Sequence, residues 1–236
     1  MALSLEKKQE IVRIQLAKNN IPEGLIMQVK MQLDVSGSFE GAFRRGTINE
    51  LVNRLIPLAM RFDDNGSLEA YAFSSRAVKT RDITAADFDS YVNNKFLKDA
   101  GSILWNGTNY APALKLLADD IKPSTVASAK SFLGKLFSTK KNEPAPSSDV
   151  PNFVMFITDG DCSDESEAER YLEQFAESKT YVQFIGVGHG FGFLKRMASR
   201  FPHVGFVNFT NLDGTPDQEM YEQLLDAKLC NWIKAQ

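Results

Sequence analysis

Residues 25–38 read LIMQVKMQLDVSGS, an apolar run that ends abruptly in an aspartate and two spaced serines. From Leu25 to Leu33 apolar residues dominate, with Gln28, Lys30 and Gln32 alternating late in the run, the pattern of a strand buried on at least one face. Two later stretches have the same form. Phe153-Val154-Met155-Phe156-Ile157 is wholly apolar and runs into Thr158-Asp159-Gly160, and Tyr181 to Val187 is a third apolar strand. Amphipathic helices are predicted between and around these strands: Thr47–Arg61, with Ile48, Leu51, Leu55, Leu58 and Ala59 at helical spacing, Tyr110–Ile121, and Glu165–Ser178. Apolar strands alternating with such helices define an α/β fold, a doubly wound, mostly parallel sheet with helices on both faces.

Further elements extend this frame. Leu68–Phe73 and Ala77–Thr80 read as a strand pair around Ser74-Ser75-Arg76, and Thr84–Phe96 as a helix. Gly190–Arg200 reads as a short helix, Val204–Phe209 as a strand, and Gln218–Lys234 as one closing helix. Pro57 is expected to kink or tighten the end of its helix. Residues 1–24 form an N-terminal extension with a short helix over Ser4–Asn20, and 25–236 form the main domain. Residues 122–149 are rich in Ser, Lys, Ala and Pro and read as a surface insertion.

The bulk numbers are those of a globular chain: 236 residues, 43% hydrophobic and 24% charged. A formal net charge of −3 lacks the basic excess of a nucleic-acid module. Two cysteines, Cys162 and Cys230, make no disulfide framework, and two free thiols in a reducing compartment are expected. The first eight residues contain no apolar core of signal-peptide length, and no run reaches the roughly 20 apolar residues of a membrane span. These features point to the cytoplasm. Lys130–Lys141 is a small basic amphipathic segment. Such a segment packs on its own domain more often than it touches an anionic membrane or a partner groove.

In open α/β sheets ligands bind beyond the carboxyl ends of the strands. Three segments there carry small oxygen-bearing residues: Asp34-Val35-Ser36-Gly37-Ser38, Asn106-Gly107-Thr108-Asn109 and Thr158-Asp159-Gly160-Asp161. Carboxylates and hydroxyls are hard oxygen ligands suited to Mg²⁺. Alternate spacing in Asp34-x-Ser36-x-Ser38 lets a curled loop aim its side chains at one point, with Gly37 permitting the curl. No His or Cys set accompanies them, which disfavours zinc or copper.

Asp34-x-Ser36-x-Ser38, then Thr108, then Asp159 in a Thr-Asp-Gly turn, resembles the metal-ion-dependent adhesion site of von Willebrand factor A domains. All five motif positions are present, and the resemblance runs from about Leu25 to Trp232. The SLEKK segment and the overall layout further resemble the bacterial tellurium-resistance, TerF-like branch. The resemblance implies a six-stranded doubly wound sheet with a divalent cation at its top, Mg²⁺ foremost, with Ca²⁺ or Mn²⁺ as alternatives. It implies Asp34, Ser36, Ser38, Thr108 and Asp159 as ligands, direct or through water, and one coordination position left for a Glu or Asp of a protein partner. Asp161, Asn106 and Gly37 are candidates for the surrounding shell. The function so implied is non-enzymatic: a metal-dependent protein-binding module of a bacterial stress or tellurium-resistance system.

Two readings compete. A haloacid-dehalogenase-type Mg²⁺ phosphatase would use Asp34 as nucleophile, but needs a second Asp where Ser36 stands. A metal-free scaffold would leave the five positions idle. Among the other polar residues, Asp164 is expected to cap a helix, Cys162 to be inert, and His189 and His203 to fill ordinary loop roles.

Overall fold

The computed structural model describes residues 3–63, 66–121 and 150–236. The predicted insertion and the basic segment at 130–141 lie outside the described residues. Among those described, seven strands form a sheet: β1 (Gln28–Asp34), β2 (Ser67–Phe73), β3 (Ala77–Lys79), β4 (Ile83–Thr84), β5 (Asn152–Thr158), β6 (Thr180–Val187) and β7 (Val204–Phe209). Their order is β3-β2-β1-β5-β6-β7, with β4 pairing β2 off this path. The pairs β1–β2, β1–β5, β5–β6 and β6–β7 are parallel, and β2–β3 and β2–β4 are antiparallel. The main path therefore has six strands, mostly parallel, as the sequence implied, and β4 is a two-residue addition.

The helices are α1 (Leu5–Lys18), α2 (Glu40–Arg44), α3 (Thr47–Phe62), α4 (Leu97–Ala100), α5 (Ala111–Ile121), α6 (Glu165–Gln174), α7 (Gly192–Arg200), α8 (Asp217–Leu224) and α9 (Ala227–Lys234). They cover both faces because the strands alternate. Val29, Met31 and Leu33 of β1 and Phe153, Met155 and Ile157 of β5 bury themselves in one core with α1, α3, α8 and α9. Val154 and Phe156 enter the opposite core with α5, α6 and α7. Helix α1 is part of the first core: Val12 and Leu16 are buried, and the buried Lys8 ammonium lies 3.2 Å from Glu50 and 3.9 Å from Asp217.

Three predicted helices differ from the structure. Thr84–Phe96 is broken. Thr84 and Asp87 form a capping box around a single 3-10 turn, and Asp89 takes a left-handed conformation (φ 67°). Asn53 holds Asp89 there, accepting from its backbone N–H at 2.9 Å and donating to its carboxylate at 2.7 Å. A π-turn (Val92–Phe96) then leads into α4. The closing helix is likewise two, because the Asp226 carboxylate accepts from the Leu229 N–H at 2.8 Å and starts α9 afresh. Glu165–Ser178 ends as an α-helix at Gln174 and continues as a 3-10 turn. Conversely, α3 runs on past Pro57 to Phe62.

The order of parallel strands reverses at β1. One neighbour, β2, follows it in sequence, and the other, β5, returns from the far side, with Leu33 paired to Ile157. The next residue on each strand is Asp34 and Thr158. The topological switch point thus lies between the two strand ends that carry the candidate oxygen ligands. No helix among the described residues is long and apolar enough to cross a membrane.

Candidate metal centre

Asp34 ends β1 fully buried, with Ser36 at 1% exposure beside it. The chain folds back on the carboxylate at once: the Ser36 N–H donates to Asp34 Oδ1 at 2.7 Å. On the other side the buried Thr158 hydroxyl donates to Asp34 Oδ2 at 2.7 Å. The Ser36 and Ser38 hydroxyl oxygens are 3.2 Å apart, and the Ser38 hydroxyl donates to Asp159 Oδ1 at 3.0 Å. Four of the five predicted ligand residues therefore form a continuous chain of contacts, whose last link, Ser38 to Asp159, spans 121 positions of sequence.

The fifth, Thr108, lies in the adjoining loop. That loop is fastened to the first by a parallel bridge between Ser36 and Asn106, by the Gly37 N–H donating to the Asn106 carbonyl at 2.9 Å, and by the Trp105 N–H donating to the Val35 carbonyl at 2.7 Å. Asn106 contributes backbone to this brace. Gly37 matters for close approach: a Cβ there would sit 3.2 Å from the Trp105 carbonyl oxygen, tighter than a packed contact allows. The Ser163 N–H and hydroxyl both donate to the Thr108 carbonyl, at 3.2 and 3.1 Å. Among the described residues the Thr108 hydroxyl has no hydrogen-bond partner.

Four further residues position the site, of which sequence reading singles out Asp161 and Asp164 but neither Thr158 nor Tyr110. In the sequence Thr158 is one member of a turn, yet its hydroxyl orients Asp34. The buried Tyr110 hydroxyl donates to Thr158 Oγ1 at 3.1 Å and to the Gly160 carbonyl. Asp164 does cap a helix, but it is α5 rather than its own α6: its two oxygens accept from the Tyr110 and Ala111 N–H groups, each at 2.8 Å. The Asp161 carboxylate accepts from Gly192 at 2.7 Å and Phe193 at 3.1 Å at the start of α7. A carboxylate near such a strand end, reaching for a helix N-terminus across the sheet, is visible only once the sheet order is known.

The electrostatics follow from burial. Desolvation pushes the Asp34 carboxyl up to about 7, against the hydrogen bonds from Thr158 and Ser36, and the nearby Asp159 charge adds to the rise. Burial also raises Asp159, opposed by the Ser38 hydroxyl. Among the described residues neither carboxylate has a basic side chain at salt-bridge distance. Two neighbouring carboxylates, one fully buried and one half-buried, without a protein cation are a costly arrangement unless a positive ion is supplied. Cys162, raised to about 12 by burial and the neighbouring Asp164, is a thiol at neutral pH. His203 is buried with Nε2 2.7 Å from the Leu172 carbonyl, and His189 is exposed between Gly188 and Gly190.

A doubly wound sheet with this oxygen cluster at its switch point is the architecture of von Willebrand factor A domains. A sequence model of the family described as "vWA found in TerF C terminus" matches residues 26–236, and the chain belongs to that family. It is 26% identical over 237 residues to a Bacillus subtilis (strain 168) protein described as "Uncharacterized protein YcbR", covering 98% of this chain and 86% of that one. The fold is similar to proximal thread matrix protein 1 from the mussel byssus in a form with a zinc-occupied MIDAS motif. The TM-score is 0.53 at 15% identity over 87% of this chain, which spans only 48% of the mussel chain. It is also similar to the SpRpn10 VWA domain, with TM-score 0.50 and 8% identity, over 83% of this chain and 98% of that domain.

Proposed function

We propose that this domain binds a divalent cation at the ends of β1 and β5 and uses it to hold an acidic group of a protein partner, without catalysing a reaction. The observation that carries the reading is the pair of unneutralised carboxylates, Asp34 fully buried and Asp159 half-buried, linked through the Ser36 N–H and the Ser36 and Ser38 hydroxyls. The donor set fits a hard cation: two carboxylates and three hydroxyls, all oxygen, with room for further oxygens at the exposed Ser38 side. Asp34, Ser36, Ser38, Thr108 and Asp159 would hold the ion, and Mg²⁺ is the first choice, with Mn²⁺ and Ca²⁺ as alternatives. The zinc described in the MIDAS motif of the structurally similar mussel protein supports a divalent ion at this place in the fold.

When bound, the ion would supply positive charge for a partner Asp or Glu carboxylate at a position the protein leaves open. The chain's own groups do the rest. Thr158 and the Ser36 N–H fix both oxygens of Asp34, and the Asn106 and Trp105 backbone hold the Ser36–Ser38 curl against the Thr108 loop.

The same residues speak against turnover. Ser36 occupies the place where a phosphatase of the competing class needs its general acid, and a serine hydroxyl is a poor proton donor at neutral pH. The Cys162 thiol is held protonated, and His203 is engaged in the core. A cytoplasmic role in bacterial stress, including tellurium resistance, is the physiological reading that accompanies family membership. Calorimetric titration with Mg²⁺, Mn²⁺ and Ca²⁺ tests the first part: one site, lost in Asp34→Ala, is expected, and no heat at millimolar cation would sink it. Partner capture that survives EDTA unchanged would sink the second part.

A further inference from the structure

Beside the candidate centre lies a groove of about 430 Å³ lined by Glu40, Phe43, Arg44, Arg45, Leu97 and Trp105 among others. Two segments tie its wall to the cation site. Helix α2 follows directly from the Ser36–Ser38 curl, and the Trp105 backbone is hydrogen-bonded to Val35. Its floor is aromatic: Phe43 and Trp105 meet edge to face at 5.4 Å between centroids, and Phe43 stacks on Phe96 at 6.4 Å.

Two backbone departures shape this wall. Trp105 holds a left-handed conformation (φ 59°), which is costly for a bulky residue, and Leu97 follows directly on the π-turn Val92–Phe96. Gly46, also left-handed (φ 81°), lets the chain turn from α2 into α3 at the groove edge.

Charge decides what fits. The Arg44 guanidinium is paired with Glu40 at 2.5 Å. Arg45 is exposed, close to Gly41, and has no carboxylate partner among the described residues. The groove therefore offers the apolar surfaces of Phe43, Leu97 and Trp105 together with one uncompensated positive charge, Arg45.

We infer that the groove seats a second anchor of an acidic partner segment: an apolar side chain between Phe43, Leu97 and Trp105, with an adjacent carboxylate on Arg45, while an aspartate of the same segment meets the cation. This rests on the cation reading above and specifies its partner. Phe43 lies five residues beyond Ser38 along a helical path, about 8 Å at 1.5 Å per residue. An extended chain advances roughly 3.3 Å per residue, so the apolar anchor stands two or three positions from the cation-bound aspartate.

The test is a phage-displayed peptide library with one fixed Asp and random flanks, panned on the full chain loaded with Mg²⁺ and released with EDTA. Enrichment of Leu, Ile, Met or Phe two or three positions from the Asp, with Asp or Glu next to it, is expected. Replacing the apolar residue of a selected peptide by Gly should weaken binding at least tenfold. In a Trp232→Phe background the selected peptide should shift the Trp105 emission. Panning on Arg45→Glu should lose the acidic enrichment while calorimetric Mg²⁺ binding is unchanged. A flat profile around the Asp, the same profile on Arg45→Glu, or no EDTA-released peptide from a protein that binds Mg²⁺ overturns the groove and leaves the cation site standing. Failure of wild-type protein to bind Mg²⁺ in calorimetry overturns the cation reading itself, and the groove with it.

Discussion

Replacing Asp34 by Asn should make the cation-free protein more stable and make it blind to the cation. The buried Asp34 carboxyl is raised from its ordinary value of 3.8 to about 7. Its folded pKa is above its unfolded one, so its contribution is fully favourable below about pH 4 and is lost as pH rises to about 7. At about 1.4 kcal/mol per pH unit, the ionised carboxylate costs the folded state roughly 4 kcal/mol at pH 8. Asn carries no such penalty. Its oxygen can accept from the Ser36 N–H, and its amide can donate to Thr158, whose hydroxyl already lies 3.3 Å from the Gly160 carbonyl and can turn to it.

Allowing about 1–2 kcal/mol for imperfect rearrangement, Asp34→Asn should be about 2–3 kcal/mol more stable at pH 8 in EDTA. That is a Tm rise of roughly 5–10 °C for a chain of this size. The advantage should shrink steadily between pH 7 and pH 4. Cation at a hundredfold excess over its Kd adds about 2.7 kcal/mol to wild type and nothing to the variant, so the difference should all but close with Mg²⁺ present. The assay is differential scanning calorimetry of both proteins at four pH values, with EDTA or Mg²⁺. An Asp34→Asn protein less stable than wild type at pH 8 in EDTA, or one stabilised equally by Mg²⁺, would refute the reasoning.

Other substitutions probe the supports. Thr158→Val removes the hydroxyl that orients Asp34 and should cost about 1–3 kcal/mol in urea denaturation, with cation affinity down about tenfold by calorimetry. Asp164→Ala uncaps α5 at Tyr110 and Ala111 and should cost about 1–2 kcal/mol, with Asp164→Asn, whose amide keeps one acceptor oxygen of the two, recovering part of it; equal losses in the two variants would argue against capping. Gly37→Ala drives a methyl against the Trp105 carbonyl and should cost about 1 kcal/mol or more, read as a lowered Tm together with weaker Mg²⁺ binding. Asp226→Ala should lose about 1 kcal/mol in the same melts without changing cation affinity, since it acts only where α8 gives way to α9.

Much of this architecture is written locally and could be read locally. The apolar runs at 25–33, 153–157 and 181–187 have one physical meaning in a globular chain, and the stripe Ile48, Leu51, Leu55, Leu58 has another. The clustering of Asp34, Ser36 and Ser38 with Asp159 follows from two strand ends meeting at the switch point, and spacing within each segment suggested it. What periodicity conceals is competition from side chains for the backbone. The apolar spacing of Phe88, Tyr91, Val92 and Phe96 suggests one helix, yet Asn53, more than thirty residues away, captures Asp89 and breaks it. Asp226 divides the closing helix in the same manner. The partners of Thr158, Tyr110 and Asp164 were hidden for a related reason: each reaches an element whose neighbourhood is set by sheet order, which no single window contains.

Helix α1 also bears on how the molecule forms. The family match begins at residue 26, but Lys8 is already enclosed by Glu50 and Asp217, and Gln15 donates to Glu222, 207 positions later, at 3.1 Å. Closing so long a loop is slow. Helix α1 packs on α3 and on α8 alike, so on a ribosome the α1 face of Val12 and Leu16 would be covered in part once α3 is made and in full only when α8 arrives. Chaperone dependence during synthesis should therefore fall on this helix rather than on the oxygen cluster at the ends of β1 and β5.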